Sequence, residues 1–473
     1  MSTNPVQLEK IAFGVLVFLL GVNALFNAAS GFLWPLFVVT ILPSIALAFV
    51  FTLQPIIFGD AAYKVYPLDL LLSTLIGATL LLGIRTARLR KFFHRSDKWF
   101  LGFMLLVSMI GAATFFGFGD GDAATAFSTW KQYVFYPLIV FVVAFFVRAA
   151  NDRSALARVF LWSVAGASIF LIIGIVRGGG LWTEYTPLST AGTRLLAFPH
   201  ALYFALAFLA VLLSAAYWNR SEKKPDRMWF LLGVLGLGIL ASLMRHLWLA
   251  LGGTLVAALL MSPLVFGRAL FRGGRRFLLP LLLLVAGAWF VFALLPYGQG
   301  VMRVQENVST LGTRVFSIGN QYDESLVWRG KVLESAWQEF QAQPFFGIGF
   351  GASVPVEIGD YQQYVEVRDM HNSWLALLIQ TGLLGAGLFV FWVGSIIIAL
   401  VRETKKRDDP ELRLAGFVLG GLFFFQSLAF FSQPYLETNL LSFFFWVTLG
   451  VMRGMLFEEP AVPDTITDPY AHS

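Results

Sequence analysis

Long apolar runs, separated by short polar or basic stretches, recur along nearly the whole chain. Most of these runs are about 17 to 25 residues long, which is the length that a helix needs to cross the hydrocarbon core of a bilayer. With 58% hydrophobic and 13% charged residues, the chain could not cover itself with polar surface in water. The period-two alternation of outer-membrane barrels is absent. The sequence therefore predicts an all-α polytopic membrane protein.

Hydropathy predicts candidate spans along most of the chain. They lie near residues 11–28, 33–52, 66–84, 99–116, 131–147, 155–177, 196–217, 228–243, 247–266, 277–296, 373–401, 413–431 and 438–457. Two full crossings within 11–52 would leave the N-terminus outside, whereas Lys10 favours a cytoplasmic start. We therefore expect one effective crossing there and about twelve transmembrane helices in all.

Clusters of Lys and Arg predict which connecting segments are cytoplasmic. The clusters are Arg85/Arg88/Arg90/Lys91/Arg95/Lys98, Arg148/Arg153/Arg158, Arg220/Lys223/Lys224/Arg227, Arg268/Arg272/Arg275/Arg276 and Arg402/Lys405/Lys406/Arg407. An even number of spans separates each cluster from the next, so all fall on one side. The opposite, outer side then carries segments 53–65, 117–130, 178–195, 297–372 and 432–437, and the short link from Met244 to His246.

The predicted organisation has four parts. N-terminal transmembrane helices occupy residues 1–296, a large outer loop 297–372, C-terminal transmembrane helices 373–457, and a disordered cytoplasmic tail 458–473. The first apolar run continues into further apolar sequence, which argues against a cleaved signal peptide. The chain has no cysteine, which excludes disulfides, thiolate catalysis and cysteine-bound zinc.

Charge and polarity argue against two classes of function. The net charge of +6 arises from the loop clusters, so nucleic acid is not an expected partner. Ion-coupled transporters keep ionisable groups at mid-membrane depth. Here the polar residues within spans are few, and snorkelling or helix–helix hydrogen bonds account for them: Asp69, Arg158, His200, Gln380, Gln426 and Arg453.

Three arginines stand out among those on the predicted outer side, where arginine is uncommon. Arg194 precedes the span that opens with Phe198, Arg245 occupies the link before His246, and Arg329 lies in the large loop. One such arginine could simply contact lipid headgroups. Three at the same membrane depth predict a site for an anion, because guanidinium binds phosphate oxygens in a bidentate way.

Within the large loop, Ser325 to Gln341 has the spacing of an amphipathic helix. Its predicted apolar face consists of Leu326, Leu333, Ala336, Trp337 and Phe340, and Arg329 falls within that face. Gln343-Pro344 ends the helix. The following Gly347-Ile348-Gly349-Phe350-Gly351 lacks the spacing of a nucleotide-binding fingerprint, which favours a flexible turn.

His371 is the candidate catalytic residue, because it begins the span after the large loop. The helix dipole there disfavours an imidazolium and keeps the ring neutral, and a neutral imidazole can act as a general base. The alternative is that His371 or Asn372 only caps the helix. Asp120-Gly121-Asp122 resembles a metal-binding DxD element, but its composition is typical of a turn, and we predict no metal site.

Several segments in a fixed order resemble the O-antigen ligase and polymerase superfamily. They are Arg329 with Trp337, Gln343-Pro344-Phe345-Phe346-Gly347-Ile348-Gly349, His371-Asn372-Ser373-Trp374-Leu375 and Gln380-Thr381-Gly382-Leu383-Leu384-Gly385. The Met244-Arg245-His246 link resembles the superfamily's serine-arginine-glycine element but departs from it on both sides of the arginine. At motif level the resemblance covers residues 230–395, and the long outer loop before the last spans is similar to that of the ligases.

The resemblance implies a GT-C-like glycosyltransferase of the bacterial cell inner membrane whose active site faces the periplasm. It implies an undecaprenyl diphosphate-linked glycan as donor, lipid A-core oligosaccharide as acceptor, and inverting transfer without metal or other cofactor. His371 would deprotonate the acceptor hydroxyl, Arg194 and Arg245 would bind the donor diphosphate, and Arg329 would assist. Asn372 and His246 are expected to support them.

Three alternatives stay open. An O-antigen polymerase divides its function between two sizeable outer loops, whereas here 297–372 is far longer than 178–195, which favours a ligase. A protein O-oligosaccharyltransferase of the same superfamily is a further candidate. A lipid-linked glycan flippase would need a cationic cavity within the spans, and the scarcity of charged residues there disfavours it.

Overall fold

The computed structural model of the chain describes residues 56–58, 63–85, 93, 97–118, 121–161, 164, 198–218, 226–241, 244–266, 324–358, 361–407 and 409–457. The described part is mostly helical. The predicted segments within 11–52, most of 155–177, 277–296 and the tail 458–473 lie outside the described residues.

The described elements follow one another as short hairpins and long helices. In chain order they are β1 (Ile56–Phe58), β2 (Tyr63–Val65), α1 (Pro67–Arg85), α2 (Asp97–Phe115), α3 (Ala123–Trp130), α4 (Ile139–Phe146), α5 (Phe198–Trp218), α6 (Asp226–Ala241), α7 (Arg245–Phe266), α8 (Glu324–Ala342), β3 (Ser353–Ile358), β4 (Tyr361–Glu366), α9 (Ser373–Lys406), α10 (Pro410–Ala429) and α11 (Asn439–Met455).

Most predicted spans within the described part coincide with these helices. Four helical segments are both long and apolar enough to cross a membrane: Asp97–Phe115, Ala123–Phe146, Ser373–Lys406 and Pro410–Ala429. Shorter apolar helices lie at Leu68–Ile84, His200–Ala215, His246–Ser262 and Leu441–Met455. Several membrane-compatible helices are thus present, and the total of twelve crossings stays a prediction.

Short polar residues begin some of these helices. Asp122 caps α3 by accepting a hydrogen bond from the backbone N–H of Thr125 (2.7 Å), and Asp409 caps α10 directly before Pro410. These oxygens satisfy N–H groups that have no partner inside the helix. Between α3 and α4 the chain forms a π turn and a 3-10 turn around Pro137, because proline lacks an N–H and its ring crowds the preceding turn.

Side-chain contacts fix the direction in which each helix runs. Between α2 and α9 the contacts are Phe103–Phe389 and Phe100–Trp392, and between α5 and α6 they are Phe208–Gly236 and Phe204–Gly238. Tyr133–Glu437 and Val143–Gly450 lie along α11. The contacts at α10 and α11 are Gln426–Thr448 and Phe430–Phe445, and those at α7 and α10 are His246–Tyr435 and Gly253–Leu428. These contacts make α2 and α9, α5 and α6, α7 and α10, and α10 and α11 antiparallel pairs, whereas α4 runs parallel to α11. We call the end at which α9 begins the His371 end, and the opposite one the Arg453 end.

The basic clusters all adjoin helix termini at the Arg453 end. Two of them, around Arg85 and Arg220, join α1 to α2 and α5 to α6. The clusters around Arg148, Arg268 and Arg402 follow or end α4, α7 and α9. This one-sided distribution agrees with the positive-inside pattern. Assignment of that end to the cytoplasm stays a prediction.

Two buried ion pairs join the helices, one near each end. At the His371 end, Lys131 Nζ lies 2.5 Å from Asp69 Oδ2, and Tyr136 donates a hydrogen bond to the other carboxylate oxygen. At the Arg453 end, Arg453 Nη2 lies 2.6 Å from Asp97 Oδ2, and its Nε donates to Oδ1. The helix–helix contact predicted for Asp69 is confirmed. Both pairs lie near helix ends, and within each pair the opposite charges compensate each other, which matters because a single buried charge would be costly.

The large loop folds into a packed unit in its described part. The predicted amphipathic helix is α8, and β3 pairs antiparallel with β4, with Ser353 opposite Glu366 and Ile358 opposite Tyr361. Val354 and Val356 of β3 are buried in one cluster with Val332 and Ala336 of α8. The sequence did not predict this hairpin or the β1–β2 hairpin, so the all-α expectation is corrected to a mostly helical fold with short sheets.

Candidate active site

His371 sits in an unusual backbone conformation directly before α9. Its φ is 56°, and it is the non-glycine residue with positive φ in the described part of the chain. A side chain in this left-handed region costs about 1–2 kcal/mol. Asn372 is the N-cap of α9 and accepts a hydrogen bond from the N–H of Leu375 (3.1 Å). The capping role thus belongs to Asn372, which leaves the imidazole of His371 for another role.

Neighbouring side chains orient the His371 ring. Nδ1 lies 2.9 Å from Oε1 of Gln433, and because an amide oxygen only accepts, Nδ1 carries the proton and Nε2 keeps its lone pair. Trp328 packs edge-on against the ring, with centroids 5.6 Å apart. Burial lowers the pKa of His371, and the nearby Arg329 adds to this, while Gln433 and Asp369 oppose it. The expected neutral ring is supported, although burial rather than the helix dipole is the main cause.

Arg329 reaches the site from α8. Its position on the buried side of this helix matches the prediction, because Val332, Ala336 and Phe340 on that side are buried. The predicted apolar face is wrong in part: Leu333 and Trp337 are 49% and 46% exposed. The β3–β4 hairpin packs against the side of α8 that carries Val332 and Ala336, so the side that carries Leu333 and Trp337 stays exposed. Arg329 is partly buried and electrostatically coupled to His371.

His246 approaches the site from the start of α7. The link between α6 and α7 lies earlier in the chain than predicted, because α6 ends at Ala241 and Arg245 and His246 already belong to α7. His246 Nε2 lies 2.5 Å from the hydroxyl of Tyr435. The side chain of Arg245 lies outside the described part, as does the whole of Arg194. Their roles as diphosphate ligands stay predictions.

The loop between α10 and α11 contributes residues that the sequence reading missed. We call residues 432–438 the α10–α11 loop. Within it Gln433 contacts His371, Tyr435 contacts His246, and Glu437 contacts Ser373. The available signal was the presence of four polar residues, Ser432, Gln433, Glu437 and Thr438, in a short outer segment between two apolar helices. Their partners are distant in sequence, so the spacing alone did not reveal them.

The side-chain carboxyl of Glu437 is hydrogen-bonded to two hydroxyl groups. Tyr133 donates to its Oε1 (2.5 Å), and the Oγ of Ser373 lies 2.6 Å from its Oε2. Burial raises the pKa of Glu437 to about 7, although these hydrogen bonds act in the opposite direction. A carboxyl with this pKa changes its charge near neutral pH. Glu437 contacts Ser373, and Ser373 is two residues after the candidate base His371.

Two of the motifs that carry the family resemblance contact each other. The turn after α8 packs against a kink in α9, where Gly382 has φ 64° and ψ −171°. A Cβ on Gly382 would lie 2.2 Å from the carbonyl oxygen of Phe345, and one on Gly347 would lie 2.2 Å from that of Ile379. Only glycine permits this approach of backbone to backbone. The glycines therefore hold the large loop on α9, the helix that His371 precedes.

Of the Asp-Gly-Asp segment, the structure describes Gly121 and Asp122, which directly precede α3. Asp122 caps α3, and its backbone N–H donates to the carbonyl of Gly351 (3.0 Å). The hydrogen bond from the Thr125 N–H lowers the pKa of Asp122. Among the described residues, no group of three or more His, Cys, Asp or Glu could hold a metal ion. Asp122 has a structural role here, as the turn composition predicted.

Part of the chain matches a known protein family. Residues 229–390 match the family model described as O-antigen ligase. A search among curated proteins finds no match. The matched region contains Arg245, Arg329 and His371, and it ends before the α10–α11 loop. The family implies a glycosyltransferase-like ligase or polymerase activity in general, with lipid-linked glycan and lipid partners. Over residues 229–390 the chain is therefore similar to the O-antigen ligase family, in agreement with the resemblance of its motifs.

Proposed function

We propose that this protein is an O-antigen ligase of the bacterial inner membrane. It moves a glycan from undecaprenyl diphosphate to the lipid A-core oligosaccharide, at the periplasmic face and with inversion at the anomeric carbon. The observation that carries the proposal is the His371 ring, whose Nδ1 is bonded to Gln433 (2.9 Å) while Nε2 has no protein partner among the described residues. A neutral imidazole with one unused lone pair is suited to remove a proton from a hydroxyl.

In the proposed reaction, Nε2 of His371 removes the proton from the acceptor hydroxyl. The acceptor oxygen forms a bond to the anomeric carbon of the donor, and the bond from that carbon to the diphosphate oxygen breaks. The diphosphate leaves with the bonding electrons, and the proton stays on His371. Gln433 then accepts a hydrogen bond from an imidazolium, and the arriving anionic donor offsets the repulsion from Arg329, so donor binding strengthens the base.

The diphosphate requires cations close to the base. Arg329 is electrostatically coupled to His371, and Arg245 is the first residue of α7, next to His246. Arg194 is the third proposed ligand. Guanidinium groups bind diphosphate oxygens in a bidentate way and stabilise the charge that grows on the leaving group. The same electrostatic stabilisation is what a divalent metal supplies in other transferases.

The first experiment compares purified wild-type protein with three variants in metal-free liposomes. His371→Ala removes the base, and His371→Asn does so with a residue that tolerates a positive φ. His94→Asn is the matched control, because His94 lies in the basic stretch of sequence between α1 and α2, far along the chain from His371. Undecaprenyl diphosphate-linked glycan and purified lipid A-core are the substrates. We expect wild type and His94→Asn to make ligated product, and both His371 variants to lose about 100- to 10,000-fold in rate.

Each other outcome points to a different function. A wild type that only lengthens the lipid-linked glycan is a polymerase, and one that moves the glycan across the bilayer with His371→Ala unimpaired is a transporter. Arg194→Lys and Arg245→Lys should each reduce turnover, because lysine keeps the charge but loses the bidentate geometry. Normal turnover in both would remove the arginines from donor binding. A strict requirement for a divalent metal would contradict the proposed metal-independent mechanism.

A further inference from the structure

The α10–α11 loop connects the two histidines of the site. Gln433 is bonded to His371, and two residues later Tyr435 is bonded to His246. These histidines precede α9 and begin α7, so one short loop contacts both the candidate base and the helix start that carries Arg245. Gln433 and Tyr435 are 8% and 1% exposed, so solvent does not replace these contacts readily.

The loop itself is internally braced. The N–H of Tyr435 donates to the carbonyl of Gln433 (2.9 Å), and the Thr438 hydroxyl donates to the carbonyl of Pro434 (2.8 Å). The N–H of Leu436 donates to Ser373 Oγ (3.0 Å). Proline further restricts the backbone between the two contact residues. A stiff loop of this kind holds Gln433 and Tyr435 at a fixed separation.

We propose that the α10–α11 loop is a positioning element: Gln433 holds the His371 ring with Nε2 available for the acceptor hydroxyl, and Tyr435 holds the start of α7, and with it Arg245, at the same loop. This inference rests on the proposed function for its kinetic consequences. The residues act through the histidines and touch no reacting atom themselves. The loop lies beyond residues 229–390, which match the family model.

The charged groups around His371 make the effect of Gln433 measurable. Arg329 of α8 lowers the pKa of His371, whereas Asp369 of the preceding turn and the Gln433 hydrogen bond raise it. Replacing Gln433 by leucine removes an acceptor and should lower that pKa. Replacing it by glutamate puts a carboxylate on Nδ1 and should raise it. If Gln433 merely filled space, its replacement by leucine would leave the pKa of His371 unchanged.

The first measurement needs no transferase activity. Purified wild type, Gln433→Leu and Gln433→Glu are treated with diethyl pyrocarbonate, which reacts with neutral imidazole, and the modification of each of the five histidines is followed by mass spectrometry between pH 5 and 9. We expect Gln433→Glu to slow the reaction of His371 by about tenfold at low pH, because a carboxylate beside Nδ1 raises the pKa of the ring and keeps more of it protonated. Gln433→Leu should speed it. His94 serves as the internal reference.

A matched variant separates positioning from loss of a buried amide. Gln426, also buried in α10, bonds to Thr448 of α11 (3.1 Å). Gln426→Leu removes an amide of the same kind without touching His371, so its His371 reactivity should match wild type. Equal reactivity of His371 in wild type and both Gln433 variants would overturn the proposal.

The second measurement uses steady-state kinetics on the wild type, Gln433→Leu and Tyr435→Phe. Gln433→Leu should lower kcat by about 10- to 100-fold, as the loss of an orienting partner does elsewhere, with little change in the donor KM. Tyr435→Phe should mainly raise the donor KM, because it frees the start of α7. If both variants changed kcat and the donor KM in the same way, or if neither variant changed them, the separate roles of Gln433 and Tyr435 would be refuted. An inactive wild type whose His371 still responds to Gln433 would refute the ligase function alone.

Discussion

Replacing Gly382 by alanine should destabilise the protein through two separate effects. The backbone there, with φ 64° and ψ −171°, is in a region that essentially only glycine occupies, and a side chain costs on the order of 1–3 kcal/mol. The new Cβ would also lie 2.2 Å from the Phe345 carbonyl oxygen. Because that atom is backbone, the turn must move, at a further cost of roughly 1–3 kcal/mol. The total is about 2–6 kcal/mol.

The same helix offers a matched control. A Cβ on Gly387 would have no neighbour within 4 Å, and this residue has no positive φ. Gly387→Ala should therefore stabilise α9 by about 0.5–1 kcal/mol, because alanine loses less backbone entropy than glycine. The two variants make the same chemical change within one helix, and they differ only in the local backbone.

Thermal unfolding in detergent, followed by circular dichroism and by aggregation, tests this difference. Gly382→Ala should unfold several degrees below wild type, and Gly387→Ala at or above it. Limited proteolysis should cut the turn after α8 faster in Gly382→Ala alone, because in that variant the turn no longer packs against α9. If both variants unfold together with wild type, the kink does not hold the loop as we infer.

Three further predictions concern charged groups. Asp97→Asn should cost about 3–5 kcal/mol, because it leaves the buried Arg453 guanidinium without its counter-charge; unchanged thermal unfolding would contradict a structural ion pair. The pKa of Glu437 is about 7 rather than the usual 4.5, so the folded chain binds the proton more tightly, and stability should fall as pH rises from 4.5 through 7. Glu437→Gln should remove that slope, as unfolding temperatures at pH 5 and 8 would reveal. Arg329→Ala should raise the pKa of His371, since Arg329 lowers it, and should move the acidic limb of the pH–rate profile to higher pH; a profile that does not move would exclude the coupling.

Local patterns in the sequence were sufficient for most of the described helices. The predicted span 99–116 corresponds to α2 (Asp97–Phe115), and the amphipathic segment from Ser325 to Gln341 corresponds to α8 (Glu324–Ala342). Helical hydrophobicity and its period are properties of neighbouring residues, so they can be recognised without knowing the fold. The β3–β4 hairpin was missed because its short alternation has meaning only once α8 covers one face.

The sequence by itself determined that the chain is a multi-helix membrane protein with its clusters of Lys and Arg on one side, and it singled out His371 and Arg329. The tertiary structure decided the environment of these residues. Gln433 lies 62 residues from His371, and Tyr133 lies 304 residues from Glu437. The ion pairs between Lys131 and Asp69 and between Arg453 and Asp97 are likewise long-range. Local preferences specify helices, whereas the partner of a buried polar group depends on which helices the packed bundle brings together.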